Sequence, residues 1–135
     1  MAKAKVYVTR EIPQIGIDIL KPHCDIEINP REGPPTKEEL KDRVEDKDGL
    51  LCLLTEKIDK DVIAAGPKLK VISSISVGYN HIDVAEATKR GIYVTFTPGV
   101  LTDATADFAW ALLMGTARRV AEADRYVRNH RWKIA

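Results

Sequence analysis

The chain has 135 residues, of which 44% are hydrophobic and 30% are charged. Its 21 lysines and arginines are balanced by 20 aspartates and glutamates, so it lacks the basic excess typical of nucleic-acid-binding domains. No apolar run approaches the ~18 residues of a membrane-spanning helix, and the N-terminus leads into a predicted strand rather than a signal-peptide core. We therefore expect a cytoplasmic protein with one ordinary core, and neither nucleic acid nor membrane as a partner.

The first half of the chain predicts three strands and two helices. Residues 5–11, 25–29 and 49–54 have strand patterns, and the last of these is a continuous apolar run typical of a strand covered on both faces. A helix is predicted after Pro13, over residues 15–20. Thr36 is predicted to start the next helix, which runs to about Val44, because Glu39 three residues later completes a capping box.

The second half continues the alternation. A helix is predicted over residues 60–65, a strand over 69–76, a helix over 84–89 and a strand over 92–97. Five alternating strands and helices predict an α/β fold with a parallel sheet. The flavodoxin-like strand order 2-1-3-4-5 is the expected arrangement.

The C-terminal region departs from this regularity. A helical pattern begins at Thr102, a predicted N-cap, and continues to about Asn129. Its first half, residues 106–114, is apolar almost all round and so requires cover on more than one side. Its second half is rich in arginine, which could form an anion-binding stripe, but interleaved Glu122 and Asp124 favour a salt-bridged, solvated face. We therefore divide the chain into a flavodoxin-like domain at residues 1–101 and a long helix with a tail at residues 102–135.

Ligands of open α/β sheets bind beyond the carboxyl ends of the strands. Among the residues there, Val77 and Gly78 stand out, because glycine lets a small anion approach the backbone amides closely. A glycine needed only for a turn is the open alternative. His81, beside Asp83, is a candidate base, although an imidazole that only decorates the start of a helix is the simpler interpretation.

Several common sites are excluded by spacing. Cys24 and Cys52 have no Cys-Xaa-Xaa-Cys spacing and no histidine placed to complete a metal site, so we expect two reduced thiols and no metal. Neither the glycine-rich dinucleotide fingerprint nor the Gly-Lys-Ser/Thr phosphate loop occurs in the chain.

A series of segments resembles the D-2-hydroxyacid dehydrogenase family, with the glyoxylate/hydroxypyruvate reductases nearest. The segments are KLKVIS (68–73), SVGYNHID (76–83), ATKRGIYV (87–94), TPGVLTDATAD (97–107) and ARR (117–119). The resemblance spans essentially the whole chain. It implies a flavodoxin-like substrate domain of a two-domain enzyme that reduces small 2-oxoacids with NADH or NADPH.

The resemblance also implies roles for single residues. The amides of Val77 and Gly78 match the loop that holds the 2-oxoacid carboxylate, Leu54 matches a wall of the substrate pocket, and Thr105 matches a position near the nicotinamide. The helix after Thr102 matches the interdomain helix that contributes to dimerisation. A homodimer is therefore expected, with the helix over residues 102–129 folded back on its own sheet or swapped into a partner.

The same resemblance implies what the chain lacks. The family's substrate-clamping Arg, its Glu and its catalytic His match positions beyond Ala135, as does the dinucleotide-binding domain. We therefore expect a truncated reductase with no catalytic residue of its own, no bound cofactor and no activity alone. Phe96 departs from the pattern, because relatives often carry Asn before Thr-Pro.

A stand-alone flavodoxin-like signalling or binding module is the alternative. A phosphoacceptor receiver would need an Asp at the end of the third strand, where this chain has Leu54 and Thr55. A flavodoxin would need a phosphate loop after the first strand, where this chain has Thr-Arg-Glu-Ile-Pro.

Overall fold

The computed structural model describes residues 2–134. The chain forms two compact units, and the division lies between Pro98 and Gly99. All five strands belong to the first unit, and the last two helices belong to the second.

The first unit is built on a five-stranded parallel sheet. The strands are β1 (Ala4–Val8), β2 (Cys24–Ile28), β3 (Gly49–Cys52), β4 (Val71–Ser74) and β5 (Tyr93–Thr95). They are all paired in parallel in the order β2-β1-β3-β4-β5. The predicted α/β class and flavodoxin-like strand order are confirmed. The observed strands β1, β3, β4 and β5 are shorter than predicted, because the strand-like residue patterns extend into the loops at their carboxyl ends.

Four helices connect these strands. They are α1 (Gln14–Leu20), α2 (Lys37–Val44), α3 (Lys60–Ala65) and α4 (Val84–Lys89). The predicted capping box of α2 is present in both directions: the Glu39 amide donates to the Thr36 hydroxyl, and the Glu39 carboxylate accepts from the Thr36 amide. Local sequence therefore decided where α2 begins.

The largest cluster of buried apolar side chains lies on one face of the sheet. The register places Tyr7, Leu50, Ile72 and Val94 in one row across four strands, and the first three of these are buried. The helical part of the same core comes from apolar side chains of α2, α3 and α4, which include Leu40, Val44, Val62, Ile63 and Ala87. Because side chains alternate along a strand, Ser74 of β4 points to the same buried face as Ile72.

The second unit contains two helices, α5 (Thr102–Ala117) and α6 (Val120–Arg128). The prediction of one continuous helix to about Asn129 is wrong, because Arg119 adopts the left-handed conformation with φ 53°. Nothing in the residue types marks this break, since arginine is a good helix former and no proline lies near it. Arg119 also binds Glu122 of α6 through two nitrogens, at 2.8 and 2.6 Å.

The start of α5 also differs from the prediction. Leu101 is its N-cap, and no side chain caps the helix, so the prediction of Thr102 as N-cap is wrong. The apolar segment at residues 106–114 lies within α5 and is exposed, and its large side chains include Phe108, Trp110, Leu112, Leu113 and Met114. Glu122 and Asp124 of α6 pair with arginines as expected for a solvated face, since Arg119 binds Glu122 and Arg128 binds Asp124 at 2.9 Å. Within residues 2–134, the structure contains no helix long and apolar enough to cross a membrane.

Candidate functional site

The loop after β4 carries the two residues predicted to bind a carboxylate. Val77 is 43% exposed. A methyl group added at Gly78 would meet no atom within 4 Å, and Gly78 is not among the glycines with positive φ. The backbone conformation therefore does not require a glycine here, which removes the simplest form of the turn explanation. The small residue instead leaves open space above the backbone.

The loop also carries unpaired backbone amides. Among residues 2–134, no oxygen of the chain accepts a hydrogen bond from the amides of Val77, Gly78 or Tyr79. Successive unpaired amides are the type of donor that binds small anions and carboxylates.

Hydrogen bonds on the buried side hold the same loop. The Ser76 hydroxyl donates to the Gly78 carbonyl at 2.5 Å and lies 2.6 Å from the Ser74 hydroxyl. The Ser76 carbonyl accepts from the Thr97 amide at 3.0 Å and from the Thr97 hydroxyl at 3.1 Å. The loops that follow β4 and β5 are therefore joined at Ser76.

His81 belongs to this buried group rather than to a pair with Asp83. Its Nε2 lies 3.0 Å from the Ser74 hydroxyl, whereas the Asp83 side chain accepts from the Glu86 amide and caps α4. Burial lowers the pKa of His81 below its usual value, and the carboxylate of Glu56 opposes this shift. Because the Asp83 side chain caps α4, it does not orient His81 as a base.

Leu54 lies in a turn after β3 and is 66% exposed. A buried carboxylate supports this turn from below. Glu56 is 2% exposed, and it accepts hydrogen bonds from the Leu53 amide at 2.6 Å and from the hydroxyls of Thr9 and Thr55 at 2.7 and 2.5 Å. Because β3 and β4 are neighbours, the Leu54 turn and the Val77–Gly78 loop share one edge of the sheet.

The departure at Phe96 has a structural role. Its ring packs against Tyr79, with centroids 5.0 Å apart and planes inclined by 58°, a favourable tilted geometry for two aromatic rings. Phe96 thus contacts the residue that follows Gly78.

Thr105 lies on α5 in the second unit and is exposed. The first unit thus brings together Leu54, Val77 and Gly78, and Thr105 belongs to the other unit.

A cleft of about 510 Å³ opens beyond β1 and β2, and its lining includes Arg10, Asn29, Arg31 and Leu53. Both arginines already have partners, since Arg10 donates to the Glu32 carbonyl and Arg31 pairs with Glu39. The cleft therefore adjoins the Leu54 turn without presenting an unpaired cation from these two side chains.

Neither cysteine belongs to a metal site. No group of metal-ligating side chains occurs in the described part of the chain. Burial, together with the nearby Glu56 carboxylate, raises the pKa of Cys52 to about 12. Cys52 is therefore a protonated thiol at neutral pH.

Comparison with known proteins identifies the family. Residues 6–128 match the family model of the D-isomer specific 2-hydroxyacid dehydrogenases, catalytic domain. The chain belongs to this family. It is 56% identical over 133 residues to a glyoxylate reductase of Korarchaeum cryptofilum, a match that covers 98% of the chain and 40% of that relative.

Two solved structures are similar to this chain over almost its whole length. The TT0316 protein of Thermus thermophilus is 43% identical with a TM-score of 0.85, over 97% of this chain and 42% of that one. An NADPH-dependent glyoxylate/hydroxypyruvate reductase of Sinorhizobium meliloti, solved with NADP and malonate, is 28% identical with a TM-score of 0.77, over 97% and 40%. The chain thus spans about two fifths of the length of these relatives.

The chain lacks the glycine-rich fingerprint of a dinucleotide site. A cofactor pyrophosphate is commonly bound by a glycine-rich turn that opens a helix, and no two of the eight glycines have Gly-Xaa-Gly spacing. The single hydroxyl of Thr105 cannot replace such a turn. What this family member does present is a set of free amides.

The sequence pattern indicates the loop but not the buried side chains that hold it in place. The strand pattern places Glu56 and Ser76 only at the sheet edge and does not single out Ser74. One signal was available: Ser74 occupies a core-facing position in the alternation of β4, and a buried hydroxyl needs a hydrogen-bonding partner.

Proposed function

We propose that this chain is the substrate-binding part of an NAD(P)H-dependent reductase of small 2-oxoacids, with glyoxylate and hydroxypyruvate as the substrate class. The names of the relatives support this substrate class. The observation that carries the proposal is the exposed loop at Gly78, where free amides meet open space at the carboxyl edge of the sheet. A carboxylate that accepts from amides forms charge-assisted hydrogen bonds, which are stronger than neutral ones.

Each residue of the proposed site has a separate task. The amides of Val77 and Gly78 bind the carboxylate and so orient the 2-oxo carbon. Leu54, exposed at the neighbouring strand end, forms an apolar wall that excludes water from one side of the ligand. Thr105 is proposed to lie near the nicotinamide in the complete enzyme.

Catalysis also requires groups that match family positions beyond Ala135. A bound nicotinamide supplies hydride, and the family's Arg, Glu and His supply substrate polarisation and a proton. We therefore propose that the 135-residue protein binds the carboxylate weakly and does not turn over. The cytoplasmic location expected from the sequence belongs to the same proposal.

The binding proposal can be tested by NMR with oxamate, an unreactive 2-oxoacid analogue, added to ¹⁵N-labelled protein. The amide signals of Val77 and Gly78 are expected to shift in a saturable way, and sodium chloride at the same ionic strength should not reproduce the shift. Signals that stay unchanged up to the solubility limit of oxamate would refute carboxylate binding at this loop.

The inactivity proposal has its own test. A homogeneous sample of this length should oxidise neither NADH nor NADPH in the presence of glyoxylate. Turnover that co-elutes with the protein and survives a further purification step would contradict it.

Self-association through α5 is the second part of the proposal. Phe108 and Trp110 are each 65% exposed in the second unit, and apolar surface of this kind is removed from water by pairing with another surface. We propose a homodimer, either through a direct contact of α5 or by exchange of residues 102–129. Sedimentation should show a dimer that Trp110→Asp weakens and that the surface change Arg125→Ala does not, whereas a monomer at every accessible concentration would refute it.

A further inference from the structure

Three polar side chains form a hydrogen-bonded chain beneath the Val77–Gly78 loop. The Ser76 hydroxyl donates to the Gly78 carbonyl at 2.5 Å, the Ser74 hydroxyl lies 2.6 Å from it, and His81 Nε2 lies 3.0 Å from Ser74. Ser74 is fully buried and Ser76 is 7% exposed. Neither hydroxyl is available to the ligand, so this group requires an explanation other than direct binding.

The direction of each hydrogen bond follows from counting protons. A hydroxyl has one proton to donate, and Ser76 gives its proton to the Gly78 carbonyl, which can only accept. Ser76 must therefore accept from Ser74, and Ser74 must accept from Nε2 of His81. The ring nitrogen that faces Ser74 thus carries a proton, and every donor in the chain points toward the loop.

The consequence for the loop follows from peptide geometry. In a trans peptide the carbonyl and the following N–H point in opposite directions, and the described residues contain no cis peptide. The Ser76 carbonyl faces Thr97, so the Val77 amide points away from Thr97. The Gly78 carbonyl faces the Ser76 hydroxyl, so the Tyr79 amide points away from Ser76. The peptide group that carries the Gly78 amide lies between these two peptide groups, whose orientations are set by the hydrogen bonds of their carbonyls.

We propose that Ser76 is a positioning residue for carboxylate binding, because its hydroxyl, supported by Ser74 and His81, holds the Gly78 peptide so that the amides of residues 77–79 face the ligand. This inference rests on the proposed function, since it assigns the network to the same loop. It adds the Tyr79 amide as a third donor and gives the two buried serines a role in affinity.

The test compares three variants of the 135-residue protein by the oxamate titration. Ser76→Ala removes the hydroxyl, Ser76→Thr retains it, and Ser73→Ala is the matched control from the opposite face of β4. We expect Ser76→Ala to weaken oxamate binding by about fivefold, the equivalent of one hydrogen bond of about 1 kcal/mol. Ser76→Thr should restore most of the affinity, Ser73→Ala should not change it, and the Tyr79 amide should shift together with Gly78.

Affinity is measured on folded protein, so a purely structural role of Ser76 would lower the unfolding temperature without changing binding. Oxamate binding by Ser76→Ala that equals wild type would overturn the inference and leave the proposed function standing. If wild type itself does not bind oxamate, the proposed function fails, and hydrogen exchange without ligand decides the role of Ser76. The Thr97 amide donates to the backbone carbonyl of Ser76, which Ser76→Ala retains. If the Ser76 hydroxyl holds the loop in place, this amide should exchange faster in Ser76→Ala than in Ser73→Ala, and equal rates would refute the positioning role.

Discussion

The substitution Gly78→Ala is expected to affect folding stability and ligand affinity differently. The added methyl would meet no atom within 4 Å, and the backbone at Gly78 does not have positive φ. The folded state therefore accommodates alanine without strain, while the unfolded chain loses conformational freedom. We expect the free energy of unfolding to stay constant or to rise by about 0.4–1 kcal/mol.

Binding should respond in the opposite direction. The methyl would occupy the space above the loop, from which a carboxylate has to reach the amides of Val77 and Gly78. Loss of one hydrogen bond to a charged group costs about 1.5–3 kcal/mol, which corresponds to at least about a tenfold loss of affinity. The measurements are urea unfolding for stability and the NMR titration with oxamate for binding.

Gly66→Ala is the matched control. A methyl at Gly66 would lie 2.5 Å from Cδ1 of Leu69 and 3.2 Å from the Val44 carbonyl oxygen. Leu69 is 6% exposed, so it cannot move aside freely, and we expect a loss of about 1–3 kcal/mol, as for overpacking. If Gly78→Ala bound oxamate as tightly as wild type, the open space at Gly78 would not be the binding position. If it destabilised the protein as much as Gly66→Ala, the loop geometry described above would be wrong.

Three further predictions concern the buried groups behind the site. Glu56→Ala leaves the Leu53 amide and the Thr9 hydroxyl without their acceptor. We expect the free energy of unfolding in urea to fall by about 2–5 kcal/mol, compared with less than about 0.5 kcal/mol for the exposed control Glu45→Ala. A similar loss in both variants would contradict the buried role of Glu56. The folded state lowers the pKa of His81 from 6.5, so the unfolded chain takes up a proton first as the pH falls. The contribution of His81 to the free energy of unfolding should therefore decline as pH falls through about 6.5. Unfolding measured from about pH 7.5 to 5 should show a smaller decline in His81→Asn than in wild type, and an equal decline would refute the assignment. Cys52 is buried and Cys24 is partly exposed, so a thiol reagent should modify Cys24 in the native protein and Cys52 only after denaturation; rapid native labelling of both would contradict the packing of β3.

Much of the fold could be predicted because its signals are local. The capping box at Thr36 and Glu39 depends on residues three positions apart, and the continuous apolar run at residues 49–54 indicated β3. Strand order followed from the alternation of strands and helices together with the connection rules of parallel sheets. The position of the loop at Gly78 followed from the same rules, since ligands bind at the carboxyl ends of the strands.

The break at Arg119 shows where local signals fail. Its residue type favours the helix that it interrupts, and the left-handed conformation with the ion pair to Glu122 is visible only in three dimensions. The predicted N-cap at Thr102 failed for a related reason: a hydroxyl caps a helix only where the preceding turn places it there, and here that turn places Leu101 at the N-cap position.

The sequence by itself determined the alternation of strands and helices, the start of α2 and the position of the candidate carboxylate-binding loop, because each depends on periodicity or on neighbours a few residues apart. Only the tertiary structure decided how that loop is held. Glu56 reaches Thr9, which is 47 residues away in sequence, and Thr97 reaches Ser76, which is 21 residues away. Such contacts form only when the strands are already aligned, and hydrogen bonding requires distances and angles that residue types alone do not specify.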